Sequence, residues 1–308
     1  MRMMACLTIL VAGVLVAWSA AQQPVFKTQS DLVVLHVSVR DSGGRYISGL
    51  DKDAFTVIDA GTPQTIAMFA ADDVPATIGI LVDNSNSMRP HRDIVIASAV
   101  EFLKHSHPRD ELVVLTFNEA VRHAWGPSVA AETNAGLFAS TMSQAIVARG
   151  MTAIYDGILA GLDRVASGTH TRQVLIVVSD GDDNASRARL EEVIGKVRHS
   201  DAVIYTIALT DPLTREGNRG LMRRLARETG GESYQPRRLD QVADAFDAIA
   251  ADIRKAYTIA YAPTVATRAG DDTVQRRQVR VYVRSKDGRA LRVRTRDGYF
   301  ETLKDSAP

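Results

Sequence analysis

Cysteine is all but missing from this chain: Cys6 is the only one among 308 residues, and it lies in the first apolar run. Neither a disulfide framework nor a cysteine-based zinc site can be built from it. An excess of one charge is missing too, with 37 basic against 36 acidic side chains. A chain so balanced has no strong general attraction to nucleic acid or to an anionic membrane. Low-complexity tracts, collagen repeats and sustained heptads are absent, and 45% hydrophobic with 24% charged residues describes an ordinary globular chain able to bury a core. Beyond the first segment no apolar stretch approaches the roughly 20 residues that span a bilayer. No Gly-x-Ser-x-Gly elbow and no glycine-rich loop after a strand occur, so serine-hydrolase and nucleotide-binding readings have no anchor.

What is present begins with Arg2, the apolar stretch from Ala5 to Trp18, the small residues Ser19-Ala20-Ala21 and the polar Gln22-Gln23-Pro24. This is the three-part layout of a secretory signal peptide, assigned to residues 1–21. About 14 apolar residues are too few for a membrane anchor. Cleavage near Ala21 would remove Arg2 and Cys6, leaving a thiol-free chain with equal numbers of basic and acidic side chains. The expected location is secreted or periplasmic, with no membrane span after cleavage.

Three regions follow. Residues 25–72 read as β structure: Val33, Leu35, Val37 and Val39 alternate with Val34, His36, Ser38 and Arg40 in the period of a half-buried strand. Phe55 to Ile58 and Thr65 to Phe69, separated by Asp59-Ala60-Gly61-Thr62-Pro63, predict a hairpin. Across 75–255 the pattern changes to continuously apolar strands at Thr77–Val82, Leu112–Phe117, Val174–Ser179 and Val203–Leu209, with helical stretches between them. Strand–helix alternation means a mostly parallel sheet with helices on both faces, a Rossmann-like doubly wound α/β architecture. Residues 256–302 return to β, and because isolated hairpins are marginal, the two β segments are expected to pair as one small, discontinuous, sandwich-like domain around the α/β insert. Arg280, Arg284, Arg292, Arg294 and Arg296 fall on the phase expected to face solvent, with Arg276 and Arg277 nearby.

Ligands of open α/β sheets bind beyond the carboxyl ends of the strands. There the first apolar strand runs into Asp83-Asn84-Ser85-Asn86-Ser87, the third ends in Asp180-Gly181-Asp182-Asp183, and Arg149-Gly150-Met151-Thr152 precedes a middle helix. Each piece alone is an ordinary turn or helix cap. Together and in this order they resemble the von Willebrand factor A (VWA) domain family, in which Asp-x-Ser-x-Ser, a Gly-Thr loop and a later Asp-Gly form a metal-ion-dependent adhesion site. The resemblance covers about residues 75–255. More loosely, Gly49-Leu50 with Phe55 and Arg296-Asp297-Gly298-Tyr299-Phe300 look like secreted bacterial members. Met151 stands where a second glycine is common.

The resemblance implies a metal held by Asp83, Ser85, Ser87, Thr152 and Asp180, with Asn84, Asn86, Met151, Asp182 and Asp183 as a partner-binding rim. Mg²⁺ suits such a set, because it demands octahedral oxygen coordination and dehydrates reluctantly; Mn²⁺ and Ca²⁺ are alternatives. Few direct anionic contacts leave the ion able to take a carboxylate, so the implied ligand is an Asp or Glu of a partner protein, in adhesion and not catalysis. Two other readings remain: a metal-dependent hydrolase using Asp83 and Asp180, which lacks a general base, and a structural envelope module docking through its β domain. An EF-hand reading of Asp180 to Glu191 fails because a buried strand precedes it and Ala185 occupies the glycine position. His105-x-His107 lacks a third ligand.

Overall fold

The structure is a computed structural model that describes residues 32–71, 73–209, 217–264, 275–285, 288 and 290–301. The segment read as a signal peptide lies outside them. The chain enters as β1 (Val33–Asp41), β2 (Phe55–Asp59), β3 (Thr62–Gln64) and β4 (Ile66–Ala70). The α/β unit runs β5 (Ala76–Asp83), α1 (Arg92–His105), β6 (Glu111–Phe117), β7 (Val121–Val129), α2 (Ala135–Ala145), α3 (Ile154–Ala166) and β8 (Arg172–Ser179). It continues with α4 (Leu190–His199), β9 (Val203–Ala208), α5 (Arg219–Thr229), β10 (Ser233–Tyr234) and α6 (Asp240–Lys255), and the chain closes with β11 (Tyr257–Tyr261), β12 (Gln275–Val283), β13 (Leu291–Arg294) and β14 (Gly298–Glu301).

The central sheet has the order β10-β9-β8-β5-β6-β7, parallel except for the edge strand β7. Every residue of β5 is buried, which is what its unbroken apolar run requires. Ile78, Ile80 and Val82 pack with Val95, Phe102, Phe246 and Ile249 of α1 and α6 on one face. Leu81, Val113 and Leu115 meet Ile158, Leu162, Val193 and Leu225 of α3, α4 and α5 on the other. Each such side chain contributes about 1.5–3 kcal/mol by leaving water. The sequence pattern did not announce β7: it contains Gly126-Pro127 and has no alternation, which an edge strand tolerates.

The flanking strands form two antiparallel sheets, β13-β1-β11-β4 and β14-β12-β2-β3, that enclose Leu35, Val37, Val39, Val57, Ile259 and Tyr261. The α/β unit is thus inserted in a small sandwich built from both ends of the described chain. The expected hairpin is corrected in one respect. β2 pairs with Thr62–Gln64 through a two-residue turn, Ala60 and Gly61, both at positive φ. Ile66–Ala70 instead crosses to the other sheet and pairs with β11.

A second correction concerns the polar phases. The face of β1 opposite Leu35 and Val37 meets the α/β unit, not solvent. Asp252 of α6, 1% exposed, accepts hydrogen bonds from Ser38 Oγ (2.7 Å) and Tyr205 Oη (2.5 Å), and pairs with Arg294 and Arg40. Burial works to raise its carboxyl pKa, but the Arg294 charge and the bonds from Tyr205, Arg294 and Ser38 together hold it below the usual range. Arg172, at the start of β8, is buried and donates to the carbonyls of Ile253 (2.6 Å) and Ala256 (2.8 Å) at the end of α6 and to Thr258 Oγ1 (2.8 Å) of β11. Arg296 is likewise buried, donating to the carbonyls of Gly298, Ser200 and Arg198. Arg277 is buried against Asp59, which also accepts from Tyr261 and Tyr299. Arg280, Arg284 and Arg292 are exposed, as the alternation predicts.

His36 of β1 lies in this seam, its Nε2 enclosed and unpartnered. Burial pushes its pKa down from 6.5 to about 3, aided by the charges of Arg172 and Arg296. Only the unfolded chain takes up this proton between those values, so stability falls as pH drops from 6.5 toward about 3 and loses nothing further to this group below. One proton gives a slope of up to about 1.4 kcal/mol per pH unit. His36→Gln should flatten that part of the urea-midpoint profile; parallel profiles for parent and variant would contradict the assignment.

Candidate metal centre

β5 and β8 are parallel neighbours in register, Val82 beside Val178, so both deliver their carboxylates to the same edge of the sheet. Asp83 Oδ2 accepts from Ser179 Oγ (2.6 Å) and Oδ1 from the Ser85 backbone N–H (2.9 Å). Ser85 Oγ lies 3.0 Å from Ser87 Oγ. Thr152 arrives from the loop before α3. Its N–H donates to Asn184 Oδ1 (2.8 Å), and its carbonyl accepts from the N–H groups of Asn184 (2.9 Å) and Ala185 (3.1 Å), which follow Asp180. The Asn86 N–H donates to Gly150 O (3.2 Å), closing the circuit between the first loop and the Thr152 loop. The fold therefore brings together the loops that carry all five residues expected to hold a metal.

Asp83 is 0% and Asp180 6% exposed, yet among the described residues neither enters a salt bridge. Their hydrogen-bond donors are hydroxyl or backbone groups: Ser179, Ser85, and for Asp180 Oδ1 the Asp182 N–H (3.1 Å). Burial pushes the Asp83 carboxyl up to about 6; the bonds from Ser179 and Ser85 oppose this, and the neighbouring Asp180 charge adds to it. Two buried carboxylates beside neutral hydroxyls, with no cationic side chain paired to them among the described residues, make an oxygen-only donor set short of positive charge. That set fits a hard divalent cation. Among the described residues no group of three or more His, Cys, Asp or Glu side chains could hold a metal, so a site here depends on the hydroxyls of Ser85, Ser87 and Thr152.

Asn84, expected at the rim, is corrected: it is buried, and its side chain is spent inside. Asn84 Oδ1 accepts from the N–H groups of Val147 (2.7 Å) and Ala148 (2.6 Å), while Nδ2 donates to Ala145 O (3.1 Å). It shapes the Thr152 loop. Asn86 and Met151 are exposed, and Asp182 and Asp183 half-buried. Asp183 Oδ1 accepts from Ser186 Oγ (2.5 Å) and also serves the Tyr155 N–H at the start of α3 (3.5 Å).

Three positioning residues escaped sequence reasoning. Asn118 Nδ2 donates to Arg149 O (3.2 Å), Glu119 Oε1 accepts the Met151 N–H (2.8 Å), and Asn184 holds Thr152. Asn118 and Glu119 directly follow the tip of β6, the strand beside β5, and that position was the one available signal. Gly150 sits at φ 87°, and a Cβ there would lie 2.5 Å from the Glu119 carboxylate. Gly150→Ala should cost about 1–2 kcal/mol in backbone strain and weaken divalent-metal binding by shifting Thr152. Chemical denaturation and metal titration by calorimetry read the two effects separately; unaltered metal affinity would remove this loop from the site.

The model of the von Willebrand factor type A domain matches residues 77–248, more than half of the chain. Solved structures similar to it include proximal thread matrix protein 1 from the mussel byssus with a zinc-occupied MIDAS motif, at 14% identity and a TM-score of 0.51, covering 63% of this chain and 49% of that one. A von Willebrand factor type A protein from Catenulispora acidiphila is 12% identical over 89% of this chain and 75% of that chain, with a TM-score of 0.49. The vWF domain of the type V pili tip protein Mfa5 from Porphyromonas gingivalis is 13% identical over 60% and 96%, with a TM-score of 0.47. No curated protein matches the sequence. With its parallel sheet, its strand-tip loops and this match, the chain belongs to the von Willebrand factor type A domain family.

Proposed function

We propose that this protein binds a partner protein through a divalent cation held by Asp83, Ser85, Ser87, Thr152 and Asp180. The observation that carries the reading is the buried Asp83–Asp180 pair without a cationic side chain, at the edge of the sheet where three loops meet. Ser85, Ser87 and Thr152 would contribute neutral oxygens; Asp83 and Asp180 would bind directly or orient coordinated waters. A bound cation supplies the positive charge that an Asp or Glu carboxylate of the partner needs. Asn86 and Met151, exposed beside these loops, would contact that partner, with Asp182 and Asp183 tuning affinity. Mg²⁺ is the metal favoured by the hydroxyl-rich set, and the zinc-occupied MIDAS motif of the mussel protein supports a divalent ion in this fold. The three-part layout of residues 1–21 supports export to the periplasm or beyond, and among the described residues no helix is long and apolar enough to cross a membrane.

Mg²⁺ should raise the melting temperature by linkage, and Asp83→Asn should abolish that response. Because the substitution removes one of two opposed carboxylates, the metal-free variant should melt no lower than the metal-free parent. An intact metal response in Asp83→Asn would exclude this site. Partner capture from envelope extract should also be lost on chelation and restored by Mg²⁺; capture indifferent to chelator would leave the fold and remove the mechanism.

A further inference from the structure

The arginines of this neutral chain are not evenly spread. Four of them fall within the eleven residues of α5, beside a single acidic residue, Glu228. Arg223 and Arg227 are one helical turn apart on the same face, which brings like charges to within about 6 Å at their stems and is unfavourable by a few tenths of a kcal/mol. Both are exposed, and among the described residues neither has an ion pair or side-chain hydrogen bond. They line a cavity of about 530 Å³ between α5, β10 and the end of β13, together with Arg224, Arg294, Ser233 and Thr295.

The carboxylates nearby are already engaged. Glu232, which also lines the cavity, is held by Arg40 (3.0 Å), Tyr234 Oη (3.3 Å) and Arg294 (3.7 Å). Glu228 faces Arg198 through two 3.1 Å contacts, and Arg224 at 3.8 Å. Arg227 alone, in the last turn of α5, is explained by the helix dipole. Arg223, a turn earlier, is not. A second observation is independent of charge: Ser233 Oγ and Thr295 Oγ1, of two residues that line the cavity, are enclosed without a partner. Native proteins leave few such atoms unsatisfied, and ordered water or a bound ligand is the usual explanation. Guanidinium forks match the oxygens of phosphate and carboxylate groups, and the cavity volume falls in the range of about 300–1,000 Å³ typical of small-molecule sites.

We propose that this cavity binds a small multivalent oxyanion, phosphate- or carboxylate-bearing, through the guanidinium groups of Arg223 and Arg227. The site lies at the seam between the α/β unit and the β domain and is independent of the metal centre.

Calorimetric titration of the full chain with pyrophosphate and with citrate tests it, in metal-free buffer at fixed ionic strength because both probes chelate cations. Saturable binding of either probe is expected, weakened at least about tenfold (about 1.4 kcal/mol) in Arg223→Gln/Arg227→Gln. Arg280→Gln, an exposed arginine elsewhere, and Asp83→Asn should both bind as the parent does. Pyrophosphate alone binding identifies a phosphate ligand, citrate alone a carboxylate ligand, and both the shared chemistry. Absence of saturable binding by both probes, or equal affinity in the double arginine variant, overturns the proposal.

Discussion

The buried carboxylate of Asp252 is the point on which the relation between the two halves of this molecule depends. It sits near the end of α6, and it receives Ser38 and Arg40 from β1, Tyr205 from β9, and Arg294 from β13. A charge so enclosed costs several kcal/mol in lost hydration, and that cost is offset only while all these donors remain in place. Arg172 works from the other direction, placing a buried guanidinium against the last carbonyls of the same helix. Opposite charges on the two sides of α6 thus fix where the α/β insert stands on its sandwich. Without them, hydrophobic burial would favour contact but not one orientation, since apolar packing is non-directional.

The same chain treats its other buried acids in two ways. Asp59 has Arg277 and two tyrosines; Asp252 has Arg294 and Arg40. Asp83 and Asp180, also buried, have hydroxyls and backbone N–H groups. Placing arginine beside a buried carboxylate is therefore within this fold's repertoire, and its absence at the strand tips leaves a local deficit of positive charge. On the proposed reading, a bound cation would supply that charge.

The central sheet was legible because its signal is local: short, β-branched apolar runs bounded by turn residues read as strands covered on both faces. The strand-tip loops were legible for a related reason, since each sits directly after a strand or before a helix. What stayed hidden needed knowledge of neighbours. The alternation of β1 showed correctly that Val33 to Val39 face a core, but it could not tell whether His36 and Ser38 meet water or a polar seam. Arg294 and Arg296 were misplaced on the same ground, their periodicity being right and their surroundings unknown. Asn118, Glu119 and Asn184 hold the Thr152 loop from two separate loops, at sequence distances no motif spans. Asn84 follows Asp83 at a strand tip, where exposure is the ordinary expectation; its burial comes from the later loop folding over it.

The two connections to the insert leave the sandwich side by side. β4 and β11 are antiparallel partners, Ala70 opposite Thr258, so the chain departs and returns at the same end of one strand pair. The metal loops lie at the far end of β5, about 25 Å away along the strand. Tension applied at those loops would reach the sandwich through both connections together, and would pull β4 and β11 in the same direction, loading the strand pair as a unit instead of parting it. The Asp252 and Arg172 contacts lie across that path and must yield first. The strength of the seam would thus set the pulling force at which the insert lifts from the sandwich, before load falls on the paired strands.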